Sequence, residues 1–216
     1  MTSRRSASAL TLLGFAATCT GCFSPNLYTT PKILDRGDVR GTVAVEAFDH
    51  GQTVPFVPAM RMRVGLGGRT EAQVGLSPQT LAGGFAFGLV QSRWFDLAVL
   101  PQLTLLAPFG GRAGGQADAI ALLGVQWSDV TTLLLNGGLG HVIGNPKIPT
   151  RVGIETDPRP IYPSGLVARL GVGIQWRVGR RFSLQPEFTF QRYFGDPKVN
   201  VYAFGLGFQF GAQPYP

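Results

Sequence analysis

Phe182-Ser183-Leu184-Gln185-Pro186-Glu187-Phe188-Thr189-Phe190-Gln191-Arg192-Tyr193 changes character at almost every step. Phe182, Leu184, Pro186, Phe188 and Phe190 share one parity, and Ser183, Gln185, Glu187, Thr189 and Gln191 share the other. A period of two sends successive side chains to opposite faces, so this is a strand with one apolar and one polar side. Working outward, Leu166, Ala168, Leu170, Val172, Ile174 and Trp176 oppose Arg169, Gly171, Gly173, Gln175 and Arg177. Tyr202, Phe204, Leu206, Phe208 and Phe210 oppose Val201, Ala203, Gly205, Gly207 and Gln209. The first half of the chain is patchier: Met60, Met62, Val64 and Leu66 stand against Arg61, Arg63 and Gly65, and Phe95, Leu97, Val99, Pro101 and Leu103 against Asp96, Ala98, Leu100 and Gln102. The pattern predicts about ten strands, at 39–48, 58–66, 70–77, 82–92, 95–107, 116–127, 131–143, 165–178, 182–193 and 199–210. Most have the roughly 9–11 residues that a tilted membrane strand needs.

The joins between these strands alternate in length. Gly67-Gly68-Arg69, Arg93-Trp94, Ser128-Asp129-Val130 and Gly179-Arg180-Arg181 are tight, whereas Asp49 to Val57, Phe109 to Gln116 and Gly144 to Ser164 are longer. Short turns on one rim and long loops on the other are the asymmetry of outer-membrane barrels, and an even strand number puts both ends of the sheet on the short-turn, periplasmic side. Trp94, Trp127 and Trp176 all fall beside short turns, with Phe95, Phe182, Phe208 and Phe210 near them. These residues are expected to form an aromatic girdle at that interface, with Phe48, Tyr193 and Tyr202 at the other rim. A soluble sandwich would instead use the tryptophans as core anchors and leave the Gly, Ala, Gln, Arg and Glu face outside. Against it stands the near absence of charge on the bulky face, where a Lys or Arg in lipid costs about 2–4 kcal/mol. Pro101 and Pro186 each remove a ladder donor, and a bulge is the expected repair.

The 216 residues include 30 Gly and 16 Pro, with 44% apolar and only 14% charged residues. That composition excludes a disordered chain and a charge-rich helical one. A formal charge of +7 raises the question of nucleic acid. Its basic residues are scattered along the chain, most of them singly, rather than clustered in a stripe with interleaved aromatics, so no nucleic-acid partner is expected. At the N-terminus, Arg4-Arg5, the apolar run Ala9 to Ala17 and Thr20-Gly21 before Cys22 have the layout of a secretory signal. The run falls short of the roughly 20 apolar residues of a spanning helix.

Cys19-Thr20-Gly21-Cys22 resembles the bacterial lipobox, with Cys19 in place of the usual leucine. The resemblance implies a cleaved signal over 1–21 and acylation of Cys22, and Phe23, which is not the aspartate of inner-membrane retention, favours the outer membrane. Residues 22–38 then form a periplasmic linker, 39–211 the barrel and 212–216 a tail, with the lipid in the inner leaflet. Over nearly all the mature chain the pattern resembles the broad class of small Gram-negative outer-membrane β-barrel proteins. That class implies an all-β, antiparallel, up-and-down transmembrane barrel, insertion by the barrel-insertion machinery and contact with outer-membrane lipid. The usual terminal Phe is displaced, since Phe210 is followed by Gly-Ala-Gln-Pro-Tyr-Pro.

Inward positions are expected to include Arg40, Glu46, Arg61, Arg63, Glu71, Gln73, Asp96, Asp118, Gln126, Asn136, Arg169, Gln175, Arg177 and Glu187. Long side chains of both signs on neighbouring strands can plug a narrow barrel as a paired network, which gives a structural or anchoring protein. Water passing among them would give a narrow pore for small polar solutes. The third class is a hydrolase at the outer rim. Omptin-type proteases also have ten strands, and Asp49, His50, His141, Glu155 and Asp157 offer acids and histidines there, but no motif match carries a role over. No Gly-x-Ser-x-Gly, His-Glu-x-x-His or phosphate-loop motif is present, and no metal or cofactor is expected. Asn136-Gly137-Gly138-Leu139-Gly140 lies inside an alternating strand, where small residues serve close strand contact. Pro146, Pro149, Pro158, Pro160 and Pro163 mark 144–164 as a stiff exposed loop.

Overall fold

The fold is that of a computed structural model, which describes residues 25–49, 53–78, 80–106, 113–144 and 162–212. Its strands are β1 Val39–Asp49, β2 Thr53–Gly67, β3 Thr70–Ser77, β4 Thr80–Gln91, β5 Phe95–Leu106, β6 Gly114–Gln126, β7 Thr131–Ile143, β8 Gly165–Gly179, β9 Phe182–Tyr193 and β10 Val199–Gly211. Each pairs antiparallel with its sequence neighbours. β1 closes the sheet onto β10, running from Arg40 opposite Gly211 to Asp49 opposite Tyr202. The result is a closed ten-stranded up-and-down barrel with no free edge.

Alternation sorts the side chains as the period requires. On β9 Ser183, Gln185, Glu187, Thr189 and Gln191 are buried inside, while outward Leu103, Leu139, Leu170 and Phe204 are each at least 59% exposed. Large apolar residues outside and polar ones inside are the inverse of a soluble barrel, which rules out the sandwich with a greasy centre. Trp94, Trp127 and Trp176 project outward in or near the turns 92–94, 127–130 and 180–181, and Phe182 packs tilted against outward Phe210 at 5.3 Å between ring centres.

Three details differ from the expectation. β2 begins at Thr53, not at 58, because a bulge on β2, where 55–56 stand opposite Ala47, lets the pairing with β1 run on to Thr53; the long loop expected from Asp49 to Val57 shrinks to 50–52. Tyr193 has the parity of Ser183 and Gln191, so it points inward and is fully buried against Tyr162 rather than joining a girdle. Neither proline carries a bulge. Around Pro101 the β4 to β5 ladder skips from Gly84↔Gln102 to Phe87↔Val99, and around Pro186 the β8 to β9 ladder skips from Gly173↔Glu187 to Trp176↔Leu184, each in unchanged register. A two-residue gap absorbs the missing donor.

Val172 sits at the middle of β8 and faces outward. Val172→Arg is expected to lower the urea-measured stability of the protein folded in lipid vesicles by about 2–4 kcal/mol. A change within about 0.5 kcal/mol, the usual range for a solvated surface site, would contradict a lipid-facing position.

Candidate functional site

The interior is occupied by the chain itself. Residues 25–34, expected in a periplasmic linker, lie inside the closed sheet, where Asn26, Leu27, Tyr28, Thr29, Thr30 and Leu34 are each at most 4% exposed. Ten residues of backbone taken out of water need partners for their N–H and C=O groups, and without strand pairing the lumen side chains must supply them. Glu187 accepts the successive amides of Leu27 and Tyr28, one on each carboxylate oxygen, at 2.8 Å each. Tyr28 has φ +46°, and adjacent amides turned by a left-handed residue form a concave nest suited to an anion. Gln209 donates to the Tyr28 carbonyl at 3.0 Å and Arg169 to that of Pro25.

Nearer the short-turn rim, Arg63 and Glu71 form a fully buried pair, with Nε and Nη2 donating to the two carboxylate oxygens at 2.7 and 2.8 Å. Both also grip the segment. Arg63 donates to Thr30 Oγ1, to the Thr30 carbonyl and to the Lys32 carbonyl, and Glu71 accepts the Leu34 amide at 3.2 Å. Gln73 donates to Thr29 Oγ1, Gln91 donates to the Pro31 carbonyl and accepts the Ile33 amide, and Lys32 pairs with Asp96 at 3.6 Å. Leu27 and Ile33 pack on Ala86, Ala98, Leu100, Ile120 and Leu122, the apolar part of the inner wall.

Inward glycines form the track. An added Cβ at Gly205 would collide with the Tyr28 hydroxyl, at Gly207 it would meet the Tyr28 ring at 2.6 Å, at Gly124 Pro31 at 2.7 Å, and at Gly88 Ile33 at 2.9 Å. Side chains at these positions would exclude the segment. The contacts also set its direction. Leu34 and Lys32 are held beside the turns 68–69 and 92–94, Tyr28 at mid-strand of β9 and β10, and Pro25 by a residue four positions from the far end of β8. Toward the N-terminus the chain therefore climbs away from the rim where β1 begins. Residues 25–34 do not form the expected tether between a lipid near that rim and β1.

Of the anticipated lining residues, Arg40, Glu46, Arg63, Glu71, Asp96, Asp118, Arg169 and Glu187 are buried within the sheet, whereas Arg61 and Arg177 are partly exposed. Arg61 reaches Gln73 and Gln102, Asp118 accepts from Gln116, and Arg40 donates to Gln209 and to the Ala212 carbonyl. Where a network of charges between neighbouring strands was expected, much of the lining is turned onto the backbone of the segment instead.

Towards the other mouth, Tyr162 and Tyr193 pack with Leu106, Val142, Val167 and Val201. The rim group does not assemble among the described residues. His141 lies on the outward face between exposed Leu139 and Ile143, and Asp49 is exposed at the end of β1. His50, Glu155, Asp157 and Cys22 lie outside the described residues. Asn136 to Gly140 stays within β7, where Gly138 and Gly140 bring that strand close to Ala119 and Asp118.

No protein-family model matches the chain, and no curated protein matches it. Similar solved structures include β-barrel and outer-membrane proteins. The N-terminal β-barrel domain of Pseudomonas aeruginosa OprF is 15% identical, with a TM-score of 0.39, over 82% of this chain and 100% of that one. A bacterial polysaccharide outer membrane secretin is 13% identical, with a TM-score of 0.47, over 82% and 66%. The translocator domain of the autotransporter NalP from Neisseria meningitidis is 10% identical, with a TM-score of 0.43, over 95% and 96%. These are likenesses of strand architecture and carry nothing about what the chain does.

Proposed function

We propose that the protein is an outer-membrane β-barrel with a structural or anchoring role, whose lumen is closed by its own N-terminal segment and does not conduct. The observation that carries this reading is the burial of residues 25–34 inside the sheet with their backbone held by Arg63, Glu71, Gln91, Arg169, Glu187 and Gln209. The outward apolar belt supports the membrane assignment, since a closed barrel satisfies its backbone internally and is one of the two structures that can span lipid. In this reading the short-turn rim is periplasmic, the signal is removed and Cys22 is the acylation site. The barrel-insertion machinery and outer-membrane lipid are its partners. The pore reading draws on a gap beside Asn26 and Tyr28 bordered by Thr42, Arg61, Thr80 and Gln102. A hydrolase finds no support in the placement of His141.

Two measurements test the closure. The processed chain in a planar bilayer should give no steady current, and a variant lacking residues 25–34 should give discrete conductance steps while keeping heat-modifiable gel migration. Ohmic steps from the intact chain, or a folded deletion variant that stays silent, would overturn the reading. Separately, Gly205→Ala with Gly207→Ala should speed hydrogen exchange at the Leu27 and Tyr28 amides by about tenfold or more, the equivalent of about 1.4 kcal/mol of lost protection. Adding Tyr28→Ala should restore slow exchange. Unchanged exchange in the double variant would mean that the tyrosine does not occupy the glycine track.

A further inference from the structure

The short-turn rim is strongly basic. Arg36, Arg69, Arg93, Arg180 and Arg181 are exposed there and Arg177 is partly exposed, against Asp35, Asp38 and Asp129. None of the five exposed arginines is ion-paired with a described residue. At the opposite rim the described charges balance, with Arg192 and Lys198 against Asp49 and Asp196. The basic residues also stand at one particular depth. Arg93 lies over the ring of Trp94, 5.2 Å from its centre, and Arg180 and Arg181 form the turn that joins β8 to β9, between Trp176 and Phe182. Exposed rings of this kind settle at the headgroup level, so the guanidinium groups beside them are held there too.

Arg69 adds a local sign. It occupies a left-handed position, φ +60°, at the end of Gly67-Gly68-Arg69, where glycine is the undemanding choice. A long cationic side chain stands in a backbone conformation that favours having none. The unpaired excess of positive charge at the girdle is complementary to phosphate, and a guanidinium binds phosphate oxygens in a bidentate fork.

We infer that the short-turn rim is a binding surface for anionic phospholipid headgroups, formed by Arg36, Arg69, Arg93, Arg180 and Arg181 around the tryptophan girdle. This rests on the membrane reading above. The rim would select anionic lipid from the adjoining leaflet and fix the depth of the barrel by charge as well as by ring burial.

All three tryptophans of the chain lie at this rim, so their fluorescence reports on the lipids that touch it. Full-length processed protein is folded into mixed phosphatidylcholine and phosphatidylglycerol vesicles in which one or the other lipid carries brominated acyl chains. Quenching is expected to show about a threefold preference for phosphatidylglycerol at low salt. The preference should fall to near unity in Arg93→Gln/Arg180→Gln/Arg181→Gln. Equal quenching by the two brominated lipids, or a preference that survives the triple substitution, would overturn the inference. Absence of quenching by either lipid would instead remove the membrane reading itself.

Discussion

An extended run of backbone inside a closed sheet has no strand to pair with and little water to turn to, so each buried amide and carbonyl costs free energy unless a side chain meets it. Glu187 is the centre of the answer this protein gives. Its two oxygens take the successive amides of Leu27 and Tyr28, and the left-handed turn at Tyr28 that brings those amides together also sends the ring into the space left by Gly205 and Gly207. Charge, backbone conformation and packing are therefore coupled at one point. The remaining contacts, from Gln209 at one level to Arg63 and Glu71 at another, extend the same solution along the segment.

The outside poses the opposite problem. Closure of β1 onto β10 leaves no open edge, and the parity that turns Ser183, Gln185 and Glu187 inward turns leucine, valine and phenylalanine out. A lumen filled by apolar side chains would need bulky inward residues on every strand, but most inward positions here are glycine, alanine or polar. They leave a channel whose filling is a polypeptide. The interior polar residues thus serve less to neutralise one another than to receive a guest from the same chain. The buried Arg63–Glu71 pair does both, which gives a reason for retaining an ion pair whose desolvation alone offers little stability.

Much of the barrel was legible in the sequence because period-two alternation is a local signal. The ten strands, their faces and the tryptophan positions follow from it. The early start of β2 did not, because Pro55 and Pro58 look like loop residues and the pairing depends on a bulge in β2 itself. Tyr193 is legible by parity, which turns it inward although a ring near a strand end suits a rim girdle equally well. The occupied lumen was nearly invisible. Residues 25–34 have neither strand nor helix period, and their partners lie as far away as Gln209, 181 positions from Tyr28. The inward glycines opposite them are a trace of it, but a small inner face does not by itself say what fills the space.

Burial of residues 25–34 within the sheet is tested most directly at Thr30, which is fully buried beside Arg63. In Thr30→Cys the new thiol, located by peptide mass, should resist a membrane-impermeant maleimide in the folded, membrane-extracted protein and react once the protein is denatured. Rapid modification of the folded protein, at the rate of a cysteine placed at exposed Ser128, would contradict an N-terminal segment enclosed by the barrel.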